Sequence, residues 1–125
     1  MIHSVIPRAY FVGDEPAQAA VKELANPVAR YAEMTRRLAT ARFEKPAGKA
    51  ALYRDAVELR GLILARATSA GIVDHELDIF WEAATVAASE KYRRKVEIYP
   101  LPSRAEIGDA VADARRARAF AWARR

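Results

Sequence analysis

Twenty-eight of the chain's 125 residues are alanine and only five are glycine. Alanine has the best intrinsic helix propensity, so this bias commits the chain to helices before any pattern is read. It also sets the kind of core. Alanine fills little volume but lets helices approach closely, and only 37 of the hydrophobic residues are larger apolar side chains. That number supports one compact domain of ordinary size rather than two. The longest run without a charged residue is seven, far short of the roughly 20 apolar residues of a membrane-spanning helix. Met1 to Ile6 has no basic flank or long apolar stretch, so it does not read as a secretory signal. Cysteine is absent, which excludes disulfides, thiolate metal sites and cysteine nucleophiles. A cytoplasmic location is the expectation.

Proline and capping residues divide the helical material. Residues 1–13 (MIHSVIPRAYFVG) carry the only β character, with Val5, Ile6, Tyr10, Phe11 and Val12 interrupted by Pro7. They read as an extended arm with at most an edge strand, because Pro7 cannot donate to a central ladder. Residues 14–125 form the helical bundle. A first helix opens at Asp14 as N-cap with Pro16 in its first turn and stops near Ala25. Asn26 then caps a second helix, with Pro27 at its first position, running to about Arg42. Val28, Tyr31, Thr35 and Leu38 line its inner side, with Met34 beside them, and Arg30, Glu33 and Arg37 its outer side. A third helix spans about 47–69, with Gly71 as C-terminal cap. Its core positions are Leu52, Ala56, Leu59 and Ile63, widened by Tyr53, Val57 and Leu64. A fourth starts at Asp74 as N-cap. Leu77, Trp81, Ala84, Ala88 and Tyr92 make its main stripe, and Ile79, Ala83 and Val86 a second strip behind. Apolar residues on two sides mean that this helix is central or packs on another subunit. Tyr99-Pro100-Leu101-Pro102 is a stiff linker. Ser103 and Glu106 form a capping box for a fifth helix reaching nearly to the end. The expected fold is all-α, a compact bundle of about five helices with a short extended N-terminal arm.

Charge is distributed in blocks. The net charge of +5 divides into −1 over residues 1–29, +5 over 30–66, −5 over 67–90 and +6 over 91–125. Sixteen of the 21 basic residues are arginine, whose planar, permanently charged donor fork suits phosphate. Codons of a GC-rich genome enrich alanine and arginine together, which is the alternative source of the bias.

Catalytic constellations are thin. The chain has two histidines, His3 and His75, and no Glu-x-x-His pair of the di-iron bundles. His75, Asp78 and Glu82 share a helical face, which reads as a solvated acidic face near a helix N-terminus rather than a metal site. No glycine-rich phosphate loop or nucleophile elbow occurs. The expectation is a non-enzyme with no cofactor and no metal. Basic residues supply the pointed signal. Arg115, Arg116, Arg118, Arg124 and Arg125 interleave with Phe120 and Trp122. Cations for phosphates and rings for base stacking are what single-stranded nucleic acid requires. An end-of-helix basic run complementing the dipole, or docking on an acidic protein surface, are the other readings. Lys91, Arg93, Arg94 and Lys95 form a second group, and Arg30, Arg36, Arg37, Arg42, Lys45 and Lys49 a third. Three such groups favour a continuous basic track over isolated solvated faces. Arg60, within the apolar arc of the third helix, reads as a buried or snorkelling partner for a carboxylate.

A small, cysteine-free, basic, all-helical chain without catalytic residues resembles the helical small subunits of CRISPR effector complexes in size, helix content and charge. The resemblance implies an antiviral-defence ribonucleoprotein subunit binding RNA or single-stranded DNA backbone without sequence specificity, among other protein subunits. It implies that role for Arg30, Arg36, Arg37, Lys91, Arg93, Arg94, Arg115, Arg116 and Arg118. Trp122 joins them through the aromatic interleaving. The acidic block at 74–90 would pair one copy with the next, and Ile79 and Val86 are the expected subunit interface. The turn at Thr68–Val73 matches a DNA-binding helix-turn-helix weakly, its flanking helices being too long. The competing class is a protein-binding adaptor, or a phage or plasmid regulatory factor, docking an acidic partner through its basic C-terminal helix.

Overall fold

The computed structural model describes residues 10–103 together with 105 and 107. Four α-helices occupy most of that span: α1 Glu15–Glu23, α2 Ala25–Thr40, α3 Pro46–Ser69 and α4 Leu77–Tyr92, the last preceded by a 3₁₀ turn at Asp74–Glu76. There is no strand among the described residues. The all-α expectation therefore stands. The count is four rather than about five, because the fifth expected helix falls almost wholly in residues outside the described set. Most of the expected arm lies outside it too. At the arm's end, Tyr10 is helical and residues 11–13 make a turn. The turn buries Phe11 to 4% exposure, sets Gly13 at φ 87° and closes with Asp14 N–H donating to the Phe11 carbonyl at 3.0 Å.

Caps explain where most helices start and stop. The Asp14 carboxylate accepts from Ala17 N–H at 3.2 Å, as its position before Glu15-Pro16 demands. Asn26 is not the cap of α2. Leu24 alone separates α1 from α2, its N–H bonded back to Ala20 and its carbonyl accepting from Val28 N–H. The backbone passes from one helix to the next through a single residue, which leaves the Asn26 side chain free for another partner. Helix α3 ends as the glycine predicts: Gly71 takes φ 88°, Ile72 N–H reaches the Ala67 carbonyl and Gly71 N–H that of Thr68. This is the two-bond left-handed closure of a helix C-terminus. Asp74 is not the cap of α4. Instead Glu76 reaches back, its Oε1 accepting from Val73 N–H at 3.1 Å.

The core is alanine-lined, as composition required. Ala17 and Ala20 of α1, Ala29 and Ala32 of α2, Ala56 and Ala67 of α3, and Ala83, Ala84 and Ala88 of α4 are all buried. Phe80, Ile63, Val28 and Thr35 are the largest fully buried side chains. Phe80 is missing from the stripe read along α4, although it lies three residues after Leu77 and four before Ala84. Val57, expected in the core, is 42% exposed. Helix α4 packs against both α1 and α2, which is why it carries apolar residues on two sides. Ile79 and Val86 are both half-buried, Ile79 packing against the chain's own core and Val86 lining a groove beside it. No helix among the described residues is long and apolar enough to cross a membrane.

Two hydroxyls fix the chain after α4. Thr35, fully buried, donates to the Ala32 carbonyl at 2.9 Å and accepts from Tyr99 N–H at 3.0 Å. Ser89 donates to the Thr85 carbonyl at 2.9 Å and accepts from Val96 N–H at 3.0 Å. Each satisfies a backbone donor that no regular element supplies. Val96 is buried, and Ile98 and Leu101 pack against the core. The segment after α4 is thereby held along α2 and α4.

Candidate nucleic-acid interface

The outer face of α2 carries Asn26, Arg30, Glu33 and Arg37 at helical spacing, with Arg36 beside Glu33. Arg30, Arg36 and Arg37 are exposed, because the opposite stripe of Val28, Tyr31, Thr35 and Leu38 is the buried one. The end of α4 meets this face at two points. The Tyr92 hydroxyl donates to Asn26 Oδ1. Arg94 lies close enough to Glu33 for its charge, together with that of Arg37, to add to the lowering of the carboxyl's pKa. The larger cause is the Arg36 guanidinium, hydrogen-bonded to Glu33 through Nε at 3.0 Å and NH2 at 2.5 Å. Arg36 in turn is held more firmly protonated by that carboxylate. One arginine thus grips this carboxylate, and the charges of two more, one of them from the end of α4, act on it.

Helix α4 ends in an unusual way. Arg93 occupies the left-handed region at φ 53°, ψ 41°. Arg94 N–H bonds the Ser89 carbonyl and Arg93 N–H that of Glu90. This repeats the closure of α3, with arginine where α3 has Gly71. Within this end the Tyr92 ring is 41% exposed, with the Lys91 ammonium and the Arg94 guanidinium each 5.8 Å from its centroid. Among the described residues, no carboxylate forms an ion pair with Arg30, Arg37, Lys91, Arg93 or Arg94.

Of the basic groups read from sequence, the structure brings Arg94 near Arg36 and Arg37 around Glu33, while Arg30, Lys91 and Arg93 are exposed and Lys91 also lines a groove between α1 and α4. Arg42 and Lys45 are exposed in the turn after α2, and Lys49 is half-buried. Lys95 pairs with Glu97 at 3.8 Å. Arg115, Arg116, Arg118 and Trp122 lie outside the described residues. Arg60 is exposed, and among the described residues no ion pair joins it to a carboxylate. Burial raises the Tyr31 pKa, and Arg60 partly opposes that rise. Tyr92 and Asn26 belong to the surface cluster, although the sequence reading gave one to the core stripe and the other to a cap. The available signal was Tyr92's place inside the run Lys91-Tyr92-Arg93-Arg94.

Among the described residues, no three histidine or carboxylate side chains are grouped to hold a metal ion. Two grooves flank α4. One of about 800 Å³ runs between α4 and residues 95–101, with Trp81, Val86, Ile98 and Leu101 in its walls and Arg60 and Glu82 at its sides. The other, of about 660 Å³, lies between α1 and α4. No family model, curated protein or solved structure matches this chain.

Proposed function

We propose that this protein binds nucleic-acid backbone without sequence specificity, as a non-catalytic small subunit of a multi-subunit ribonucleoprotein like the CRISPR effector small subunits it resembles. The observation that supports the reading is the approach of two basic groups, distant in sequence and exposed, whose Arg36, Arg37 and Arg94 lie near one shared carboxylate, Glu33. Phosphate contacts fix position and carry no base information, so arginine forks on a helix face suit RNA or single-stranded DNA of any sequence. Arg93 supports it further. A non-glycine residue in the left-handed region is strained, and strain of this kind persists where a side chain is needed. The carboxy-terminal arginines and Trp122, outside the described residues, are given the same role in this reading on their sequence pattern alone.

The test is fluorescence anisotropy of the full chain with labelled oligonucleotides of unrelated sequence over a salt series. Affinity should be similar across sequences and fall linearly in log–log form with salt. Sequence-selective binding, or none at low salt, contradicts the proposal. The adaptor reading has one observation of its own, the apolar groove between α4 and residues 95–101. It predicts binding to an acidic peptide that persists at salt concentrations where oligonucleotides dissociate.

A further inference from the structure

We propose that the cluster at the end of α4 takes nucleic acid in single-stranded form, by stacking an unpaired base on the Tyr92 ring. The inference rests on the backbone-binding reading and names the form of nucleic acid that the site selects. Tyr92 is 41% exposed between two cations, where much of its ring face is open to solvent. Its orientation is fixed from outside its own helix, since its hydroxyl donates to Asn26 of α2. A ring already held loses little freedom when a base settles on it. The Lys91 and Arg94 charges stand 5.8 Å from the ring centroid, near the roughly 6 Å limit of a cation–π contact. Each therefore gives up little by turning to a phosphate, and both then hold the strand on either side of the ring. Duplex nucleic acid keeps its base faces stacked internally, so only an unpaired base offers a face to Tyr92.

Three labelled probes of equal length separate the two layers of the argument: single-stranded oligothymidylate, the same strand without bases, and a duplex. With the full wild-type chain at fixed low salt, oligothymidylate should bind on the order of tenfold more tightly than the abasic strand. Tyr92→Leu should erase that difference, lowering affinity for oligothymidylate about tenfold more than affinity for the abasic strand or the duplex. Tyr92→Phe, which keeps the ring and loses only the Asn26 bond, should retain most of it. Equal wild-type affinity for the based and abasic strands overturns the stacking inference and leaves backbone binding standing. A Tyr92→Leu loss that is equal on all three probes overturns it as well, since the ring would then act only through the fold. Failure of the wild type to bind any probe overturns both.

Discussion

Arg93 and Gly71 close their helices with the same pair of hydrogen bonds, yet only glycine adopts the left-handed conformation without a steric cost. Arg93→Gly should therefore stabilise the fold by about 0.5–1 kcal/mol, while weakening oligonucleotide binding. Urea denaturation and anisotropy on the same variant check the pair of effects. Glu33 gives the complementary case. Its carboxyl pKa is lowered first by the Arg36 hydrogen bonds, so its stabilising contribution is present above the unfolded value and disappears as pH falls through the lowered folded value. The pair is about half exposed, so solvent screening keeps that contribution small. Glu33→Gln should flatten the acid side of the stability profile below about pH 4.5. It should also strengthen oligonucleotide binding at pH 7, by removing a carboxylate that competes with phosphate for Arg36 and acts on Arg37 and Arg94. Unchanged or weaker binding would show that Glu33 does not restrain these arginines.

At the scale of the element, the heaviest packing load falls on Phe80, which is fully buried and 5.8 Å from the Trp81 ring. Phe80→Ala should cost about 3–5 kcal/mol by leaving a cavity that alanine-rich neighbours cannot fill. Thr35 carries a different kind of load. Thr35→Val removes the acceptor of Tyr99 N–H and should cost about 1–3 kcal/mol, whereas Thr35→Ser retains the hydroxyl and should cost less. Denaturant unfolding of the three variants checks both claims. Much of this architecture was legible in the chain. Asp14-Glu15-Pro16 marked the start of α1, Gly71 marked the end of α3, and the stripe Val28, Tyr31, Thr35, Leu38 marked the buried side of α2. Local chemistry sufficed there. It failed where tertiary packing decided. Asn26 has every property of a cap, but the one-residue joint between α1 and α2 gives its side chain to Tyr92. Tyr92 continues the period of the core stripe, but it stands at the last residue of α4, where its side chain is exposed and bonded to Asn26. The side of Thr35 facing the chain after α4 was beyond any local pattern.

For the whole molecule, the surface follows from which helix faces are buried. Once α2 puts Tyr31, Thr35 and Leu38 inward, Arg30 and Arg37 must face out. Once α4 packs between α1 and α2, its basic end arrives beside them. The two groups were visible in sequence as separate charge blocks, but their adjacency required the fold. Alternating charge blocks also motivate an assembly with head-to-tail contacts that leave its ends open. Light scattering at high concentration and low salt should show species larger than a monomer, and a strict monomer with no assembly partner counts against it.

The central claim is that α2 and α4 present one phosphate-binding surface. The measurement that tests it most directly is the salt slope of oligonucleotide binding for the wild type, for Arg36→Ala/Arg37→Ala, for Arg93→Ala/Arg94→Ala, and for all four replacements together, with circular dichroism confirming each fold. Each lost phosphate contact should reduce the slope by roughly 0.7 to 0.9. The account predicts that both double variants bind more weakly with shallower slopes, and that the quadruple variant is shallower still. Unchanged affinity and slope in either folded double variant would contradict it, because that helix would then lie outside the surface that meets the phosphates.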